Sequence, residues 1–234
     1  MRARVRAAYA AQFLGEEKKF IDTMSQKVYI LCDMNKGYSE SILKKIKASP
    51  PGAVFVYSDF ANIADSTSAR KALERFTKDN LIKRIKPGIF YKPAFSKLLQ
   101  EEIPFSPNDV AKAIARNFHW NIAPCGNYAL NILGLSTQVP AVWSYVSDGP
   151  YKEYEFGKIK ISFKRRTNRE ISGMSDISII VVQALKTLGK DNIDDNVIKS
   201  LSKKIKASDK KKLLLETKEA SEWVYKTIQK ICKE

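Results

Sequence analysis

The run Asp65-Ser66-Thr67-Ser68-Ala69-Arg70-Lys71-Ala72-Leu73-Glu74-Arg75-Phe76-Thr77-Lys78-Asp79-Asn80-Leu81-Ile82-Lys83-Arg84-Ile85-Lys86-Pro87-Gly88-Ile89-Phe90-Tyr91-Lys92 decides the fold. Ala69, Ala72, Leu73 and Phe76 recur at helical spacing and form one apolar stripe, with Asp65 or Ser66 placed to cap the helix. The opposite face carries Thr67, Ser68, Arg70, Lys71, Glu74, Arg75 and Lys78. Asn80 tolerates the left-handed conformation in which helices often end. Two short strand-like runs, Leu81 to Lys86 and Ile89 to Lys92, then flank Pro87-Gly88, the pair that a type II turn favours at its central positions.

Outward towards the N-terminus, Ile42, Leu43 and Ile46 predict a short helix behind a Ser39 cap, stopped by Pro50-Pro51-Gly52. Ala53-Val54-Phe55-Val56-Tyr57 reads as a buried strand, and Ser58 can cap a second short helix through Ile63. Helix, strand, helix, helix and basic hairpin is the order of a winged helix-turn-helix. A major groove about 12 Å wide admits one helix, and Thr67, Ser68, Arg70, Lys71 and Arg75 are the candidates to meet DNA from it. Lys83, Arg84, Lys86 and Lys92 on the hairpin suit flanking phosphates, which set affinity and register while the helix sets sequence choice. The competing reading, a solvated face on an ordinary helix, explains each cation singly but not the ordered elements together. RNA fits less well, because neither an RNP-like aromatic strand nor a Gly-x-x-Gly clamp is present.

The whole chain supports a polyanionic partner. Its 234 residues hold 41 Lys and Arg against 25 Asp and Glu, a formal net charge of +16. Self-repulsion of that size gives a fold no stability. Residues 1–97 contain 19 basic and 9 acidic residues, and residues 98–234 contain 22 and 16, so the excess is denser in the first part. The hydrophobic content of 44% is that of a folded chain and excludes disorder as the main state. The longest apolar runs fall far short of the roughly 18 to 20 residues of a membrane span, so a soluble, cytoplasmic protein without a membrane partner is expected. Cys32, Cys125 and Cys232 are odd in number and lie far apart, which predicts reduced thiols and no zinc site. Met1 to Thr23, rich in Arg and Ala with Arg2, Arg4 and Arg6, resembles a transit peptide but reads better as an upstream start or an appended extension, and it lacks the hydrophobic run of a secretory signal.

Three stretches carry a family likeness. Gly52 to Phe60, Arg70-Lys71-Ala72-Leu73-Glu74-Arg75-Phe76 and Ile82 to Pro93 resemble the N-terminal winged helix of AbiEi-like antitoxins. Gly126-Asn127-Tyr128-Ala129-Leu130-Asn131-Ile132-Leu133-Gly134-Leu135-Ser136-Thr137-Gln138-Val139-Pro140 resembles that family's second block, and Ser147-Asp148-Gly149 with the basic strand after it continues the likeness, over roughly Tyr38 to Leu188. A winged helix is shared by many regulators, whereas the Leu-Gly-Leu-Ser-Thr-Gln-Val-Pro block is far more specific. Asn80 stands where the family pattern usually has Gly. The resemblance implies a type IV antitoxin, non-enzymatic, whose winged helix represses its own operon and whose C-terminal domain counteracts a nucleotidyltransferase-like toxin without requiring a stable complex.

Beyond residue 97, Ser106-Pro107 starts a helix with Val110, Ile114 and Phe118 on its inner face. A helix from Tyr128 to Leu133 and strands near Val139 to Val146, Tyr151 to Phe156 and Lys158 to Lys164 follow. Ile177, Ile180, Val181, Ala184, Leu185 and Leu188 predict a buried helix ending at Gly189, and further helices are expected near Val197 to Ile205 and Ala220 to Ile231. The fold class is α+β: a winged helix-turn-helix over 24–97 after an extension of 1–23, then a mixed α+β domain over 98–234. Lys158, Lys160 and Lys164 share a strand face leading to Arg165, Arg166 and Arg169, which reads either as an antitoxin surface or as protection of a sheet edge.

Catalysis is poorly supplied. The single histidine, His119, sits at a helix end between Phe118 and Trp120 and reads as packing or capping. Asp148, Glu153 and Glu155 beside Lys158 are the best candidates for a metal-dependent DNA nuclease, but their spacing is poor for a shared ion. No phosphate-binding Gly-Lys-Ser/Thr loop or dinucleotide fingerprint occurs, so no cofactor is expected. Ser136, Thr137 and Gln138 read as a cap and loop, or as a polar contact surface. The leading expectation is therefore a DNA-binding antitoxin and repressor; the alternatives are a nuclease and a winged-helix regulator with no antitoxin role.

Overall fold

The structure, a computed structural model, describes residues 37–96, 100–166 and 173–233. Its N-terminal part is a winged helix-turn-helix. Helix α1 covers residues 37–48 and buries Ile42 and Ile46. Ser39, expected as its cap, lies inside it, buried, and its hydroxyl accepts a hydrogen bond from Arg75 Nη2. Strand β1 (Val54–Val56) is buried at all three positions. The second helix is shorter than its sequence suggests: Tyr57–Phe60 form one 3-10 turn, and the Ser58 hydroxyl is buried without a partner rather than capping. Asp59 supplies the acceptor instead, taking the Val56 N–H at 2.9 Å.

Helix α2 (Ser66–Lys78) is capped by Asp65, whose carboxylate accepts from Thr67 N at 2.9 Å and Ser68 N at 3.0 Å. These donors hold the Asp65 carboxyl below its ordinary range, Ser68 contributing most. The stripe Ala69, Ala72, Leu73 and Phe76 is buried as its spacing requires. Asn80 takes φ +56, and Gly88 takes φ +85 in the turn between β2 (Lys83–Lys86) and β3 (Ile89–Tyr91). The sheet order is β1-β3-β2, antiparallel throughout, with a register shift between Arg84 and Lys86. Ile42, Phe55, Phe60, Leu73, Phe76 and Phe90 form the core between helices and sheet.

A hairpin of β4 (Ala94–Ser96) and β5 (Glu101–Ile103) leads to α3 (Pro107–Phe118). Ser106 caps α3 through Asp109 N at 3.4 Å, and His119 ends it at φ 56. The boundary expected at 97/98 falls between β4 and β5, and one of the cores crosses it. Val54, Val56 and Ile89 of the winged helix pack in one cluster with Val110 and Ile114 of α3 and with Tyr145, Ile161 and Phe163 of a second sheet. That sheet has the order β6-β7-β9-β8, formed by Ile122–Pro124, Val142–Ser147, Lys152–Phe156 as β8 and Ile159–Arg165 as β9. β7 and β9 run parallel, the other pairs antiparallel. Its other face carries Ala123 and Val146 against Cys125 and Ile179.

The short α4 (Gly126–Ile132) joins the sheet to a helical layer of α5 (Asp176–Leu188), α6 (Asp195–Lys204), α7 (Ala207–Glu216) and α8 (Glu222–Lys233). Leu130, Val181, Leu185, Leu201, Leu213 and Ile228 form its core. Of the stripe expected on α5, Val181, Ala184 and Leu185 are buried and Ile177, Ile180 and Leu188 only partly so; Ser178, Ile179, Val182 and Gln183 are buried as well, because the helix lies between two packed layers, and Gly189 follows it at φ 79. At the start of α5, Glu216 of α7 accepts from Ser175 N at 2.8 Å and Ser175 Oγ at 2.6 Å. The whole is a mixed α+β fold. Among the described residues no helix is long and apolar enough to cross a membrane.

Candidate nucleic-acid interface

Arg70 and Lys71 are both exposed near the N-terminus of α2. Successive helical residues are rotated by about 100°, and the two cations accordingly serve different surroundings. Arg70 lines a cavity of about 500 Å³ together with the hairpin residues Arg84, Lys86, Pro87 and Gly88. Helix α2 and the β2–β3 hairpin therefore face one concavity. Ser68, Lys71 and Arg75 instead line a cleft of about 200 Å³ against Tyr38 and Ser39 of α1. Thr67 is exposed at the helix start, where its N–H is held by Asp65.

The remaining hairpin cations have internal contacts. Lys83 forms an ion pair with Glu102 of β5. Tyr91 Oη also donates to Glu102, at 2.8 Å, and Lys83 and Tyr91 together hold that carboxyl below its ordinary range. Burial, then the Glu102 contact, pushes the Tyr91 hydroxyl up to about 12. Lys92 Nζ donates to the carbonyls of Lys47 at 2.8 Å and Ser49 at 2.7 Å, satisfying the C-terminal end of α1. Arg75 donates to Ser39 and lies 5.5 Å from the Phe76 ring centroid, so it braces α1 on α2. Arg84 sits 5.9 Å from the Phe90 ring centroid. Among the described residues, Arg70, Arg84 and Lys86 make no ion pair or hydrogen bond through their side chains.

The far wall of the larger cavity comes from outside the winged helix: Asn117 and Phe118 of α3, and Lys152 and Tyr154 of β8. Lys152 Nζ lies 5.0 Å from the Phe118 ring centroid and 5.4 Å from that of Tyr154. Lys86 approaches the same Tyr154 ring at 5.7 Å and Phe156 at 5.3 Å. Arg116 fixes this wall to the winged helix: its Nε donates to Asp59 Oδ1 at 2.9 Å, and Nη2 to Asp59 Oδ2 and Val54 O, each at 3.1 Å. Sequence spacing gives no sign of Lys152 here, because only the return of β8 beside β9 brings it to α3.

The second basic set is dispersed. Lys158 is exposed in the turn before β9, and Lys160 pairs with Glu155 at 2.7 Å. Lys160 and Lys164 share the sheet face of their β7 partners Val142 and Val146, whereas Arg165 points to the other face. The charges of Lys164 and Arg166 act on Cys125, but burial dominates and pushes that thiol up to about 11. Arg166 N donates to Ser147 O at 2.9 Å. Arg169 lies outside the described residues, as does Met1 to Thr23.

Each carboxylate considered for metal catalysis has its own partner. Asp148 accepts from Asn121 N at 2.9 Å and Asn121 Nδ2 at 2.7 Å, Glu153 accepts from Tyr151 Oη at 2.5 Å, and Glu155 holds Lys160. Among the described residues no three or more His, Cys, Asp or Glu side chains gather. The Ser136 to Gln138 segment is a loop tied inward, with Asn131 Nδ2 donating to the carbonyls of Ser136 at 3.3 Å and Gln138 at 3.2 Å.

Comparison with curated proteins gives no match. A family of unknown function, DUF6088, matches residues 41–213, spanning the winged helix, the four-stranded sheet and most of the helical layer, and the chain belongs to that family.

Proposed function

We propose that the chain binds double-stranded operator DNA through α2 and the β2–β3 wing, represses its own operon, and acts in the cytoplasm as the antitoxin of a nucleotidyltransferase-like toxin. One observation carries the DNA reading. Arg70 from the helix and Arg84 and Lys86 from the wing meet around one concave face, and among the described residues no acid pairs with them. Phosphates neutralised by such cations release counterions, which supplies affinity, while helix side chains at base edges supply choice. The antitoxin role draws its support from the likeness of Gly126 to Pro140, and of Ser147-Asp148-Gly149, to the second block of AbiEi-like antitoxins.

The two roles separate in the full chain, which is the appropriate form because Val54, Val56 and Ile89 share a core with α3 and the second sheet. Arg70→Ala/Lys71→Ala is expected to release a reporter driven by the chain's own promoter while still rescuing growth when the neighbouring toxin gene is coexpressed. Repression by the double variant at the wild-type level would defeat the DNA assignment, and failure of the wild-type chain to rescue growth would defeat the antitoxin assignment.

A further inference from the structure

We propose that the cavity between wing, α2, α3 and β8 is a binding site for a small planar anion of the mononucleotide class, a heteroaromatic ring bearing phosphate. Its volume of about 500 Å³ lies within the roughly 300 to 1,000 Å³ of small-molecule sites. Arg70, Arg84, Lys86 and Lys152 line it against one acid, Glu74. None of the four cations has an ion pair or side-chain hydrogen bond among the described residues. A concave wall of one sign concentrates field and attracts counter-charge.

The cations converge from separate elements. Lys86 from the wing and Lys152 from β8 stand within 6 Å of one ring, that of Tyr154, at 5.7 and 5.4 Å. Two ammonium groups this near one ring repel each other, and an anion held in the cavity relieves that repulsion. Glu155, on whose carboxyl the Lys86 charge acts, is already paired with Lys160. The chemistry is not that of a bare phosphate site. Phe118, 43% exposed, and Tyr154 provide aromatic walls for a planar ring. Asn117 and Glu74 offer directional donors and acceptors to a base edge.

A duplex, broader than its own roughly 12 Å major groove, cannot enter a space of this volume and meets Arg70, Arg84 and Lys86 at its mouth. The site therefore overlaps the DNA contact, sharing three cations with it, and extends beyond it to Lys152 and Tyr154. A bound mononucleotide consequently competes with DNA and acts as a releasing effector, a consequence that rests on the DNA-binding reading, whereas the site itself does not.

The test is calorimetric titration of the full chain, without DNA, with adenosine and guanosine 5′-monophosphates, inorganic phosphate and adenosine. One mononucleotide is expected to bind saturably at one site, at least tenfold more tightly than phosphate or the nucleoside. Lys152→Ala is expected to weaken it at least tenfold, and Phe118→Ala, which removes the exposed aromatic wall, several-fold. Absence of saturable binding by either mononucleotide, or equal binding of phosphate, overturns the proposal. So does a Lys152→Ala chain that loses promoter binding while neither mononucleotide binds, for the cavity would then belong to the DNA interface. Competition is read separately, by adding the mononucleotide to a promoter complex. Saturable binding with no release of DNA refutes the effector role alone.

Discussion

Removing the Arg116 guanidinium tests how the second half of the chain is held on the winged helix. Arg116 makes a two-point contact with Asp59, at 2.9 and 3.1 Å, and a third bond to Val54 O at 3.1 Å. Hydrogen bonds involving charged groups contribute about 1.5 to 3 kcal/mol, and exposed pairs only about 0.2 to 1 kcal/mol. The Asp59 side chain is 16% exposed and that of Arg116 is 48% exposed, so the pair belongs between these cases. A coupling of about 1 to 2 kcal/mol follows. For a chain of this size each kcal/mol moves Tm by about 2 to 4 °C, which predicts a fall of about 2 to 8 °C for Arg116→Ala. Each single substitution also loses one bond outside the pair, Arg116→Ala that to Val54 O and Asp59→Ala that from the Val56 N–H. A double-mutant cycle by thermal denaturation isolates the shared part. A coupling below about 0.3 kcal/mol would refute the clamp and leave the common core as the sole connection.

Gly149→Ala places a Cβ 2.4 Å from Trp120 Cε2, and Trp120 is held by Phe118 and Phe163, at ring-centroid distances of 4.8 and 5.6 Å. The cost is expected at the upper end of the roughly 1 to 3 kcal/mol of overpacking, and an unaltered melt would contradict the packing. Cys125, pushed up to about 11 by burial from its ordinary 9.0, has about a hundredfold less thiolate near pH 8 than a free thiol; peptide mapping after iodoacetamide should show modification at least that much slower in the native chain than in denaturant, and equal rates would contradict its placement. Burial alone would raise the Glu216 carboxyl, but donation from Ser175 outweighs it and leaves the group below its ordinary 4.5. That contribution is full above pH 4.5 and is lost as pH falls through the lowered value, so Glu216→Gln should flatten the acid limb of the stability profile, and an unchanged limb would refute it.

The parts that could be read from the sequence are those governed by local physics. The α2 stripe, the Asp65 cap, the left-handed Asn80, the Pro87-Gly88 turn and the Ser106-Pro107 start each depend on residues within one or two turns of one another. The parallel pairing of β7 with β9 does not, because its partners lie 18 residues apart, as in Val142 and Lys160, with β8 inserted between. β6 spans three residues, too few for a period of two to show. α7 was missed because its run Lys210-Lys211-Lys212-Leu213-Leu214-Leu215 has little face contrast; Leu213 is buried and Leu215 is 65% exposed. The site divides in the same way. Arg70, Arg84 and Lys86 follow from helix and hairpin geometry, whereas Lys83, Arg75 and Lys92 find Glu102, Ser39 and the α1 carbonyls 19 to 45 residues away. Composition alone cannot separate a cation facing solvent from one that braces a neighbouring element.

The central claim, that α2 and the wing present cations to duplex phosphates, is tested most directly by the salt dependence of binding to the chain's own promoter fragment. The account predicts that log K falls linearly with log salt concentration, and that Lys86→Ala reduces the slope by about one for promoter and unrelated duplex alike. Arg70→Ala/Lys71→Ala should lower promoter preference by roughly 1 to 3 kcal/mol per lost base contact. Binding that ignores salt, or that is unchanged by both sets of substitutions, would contradict it.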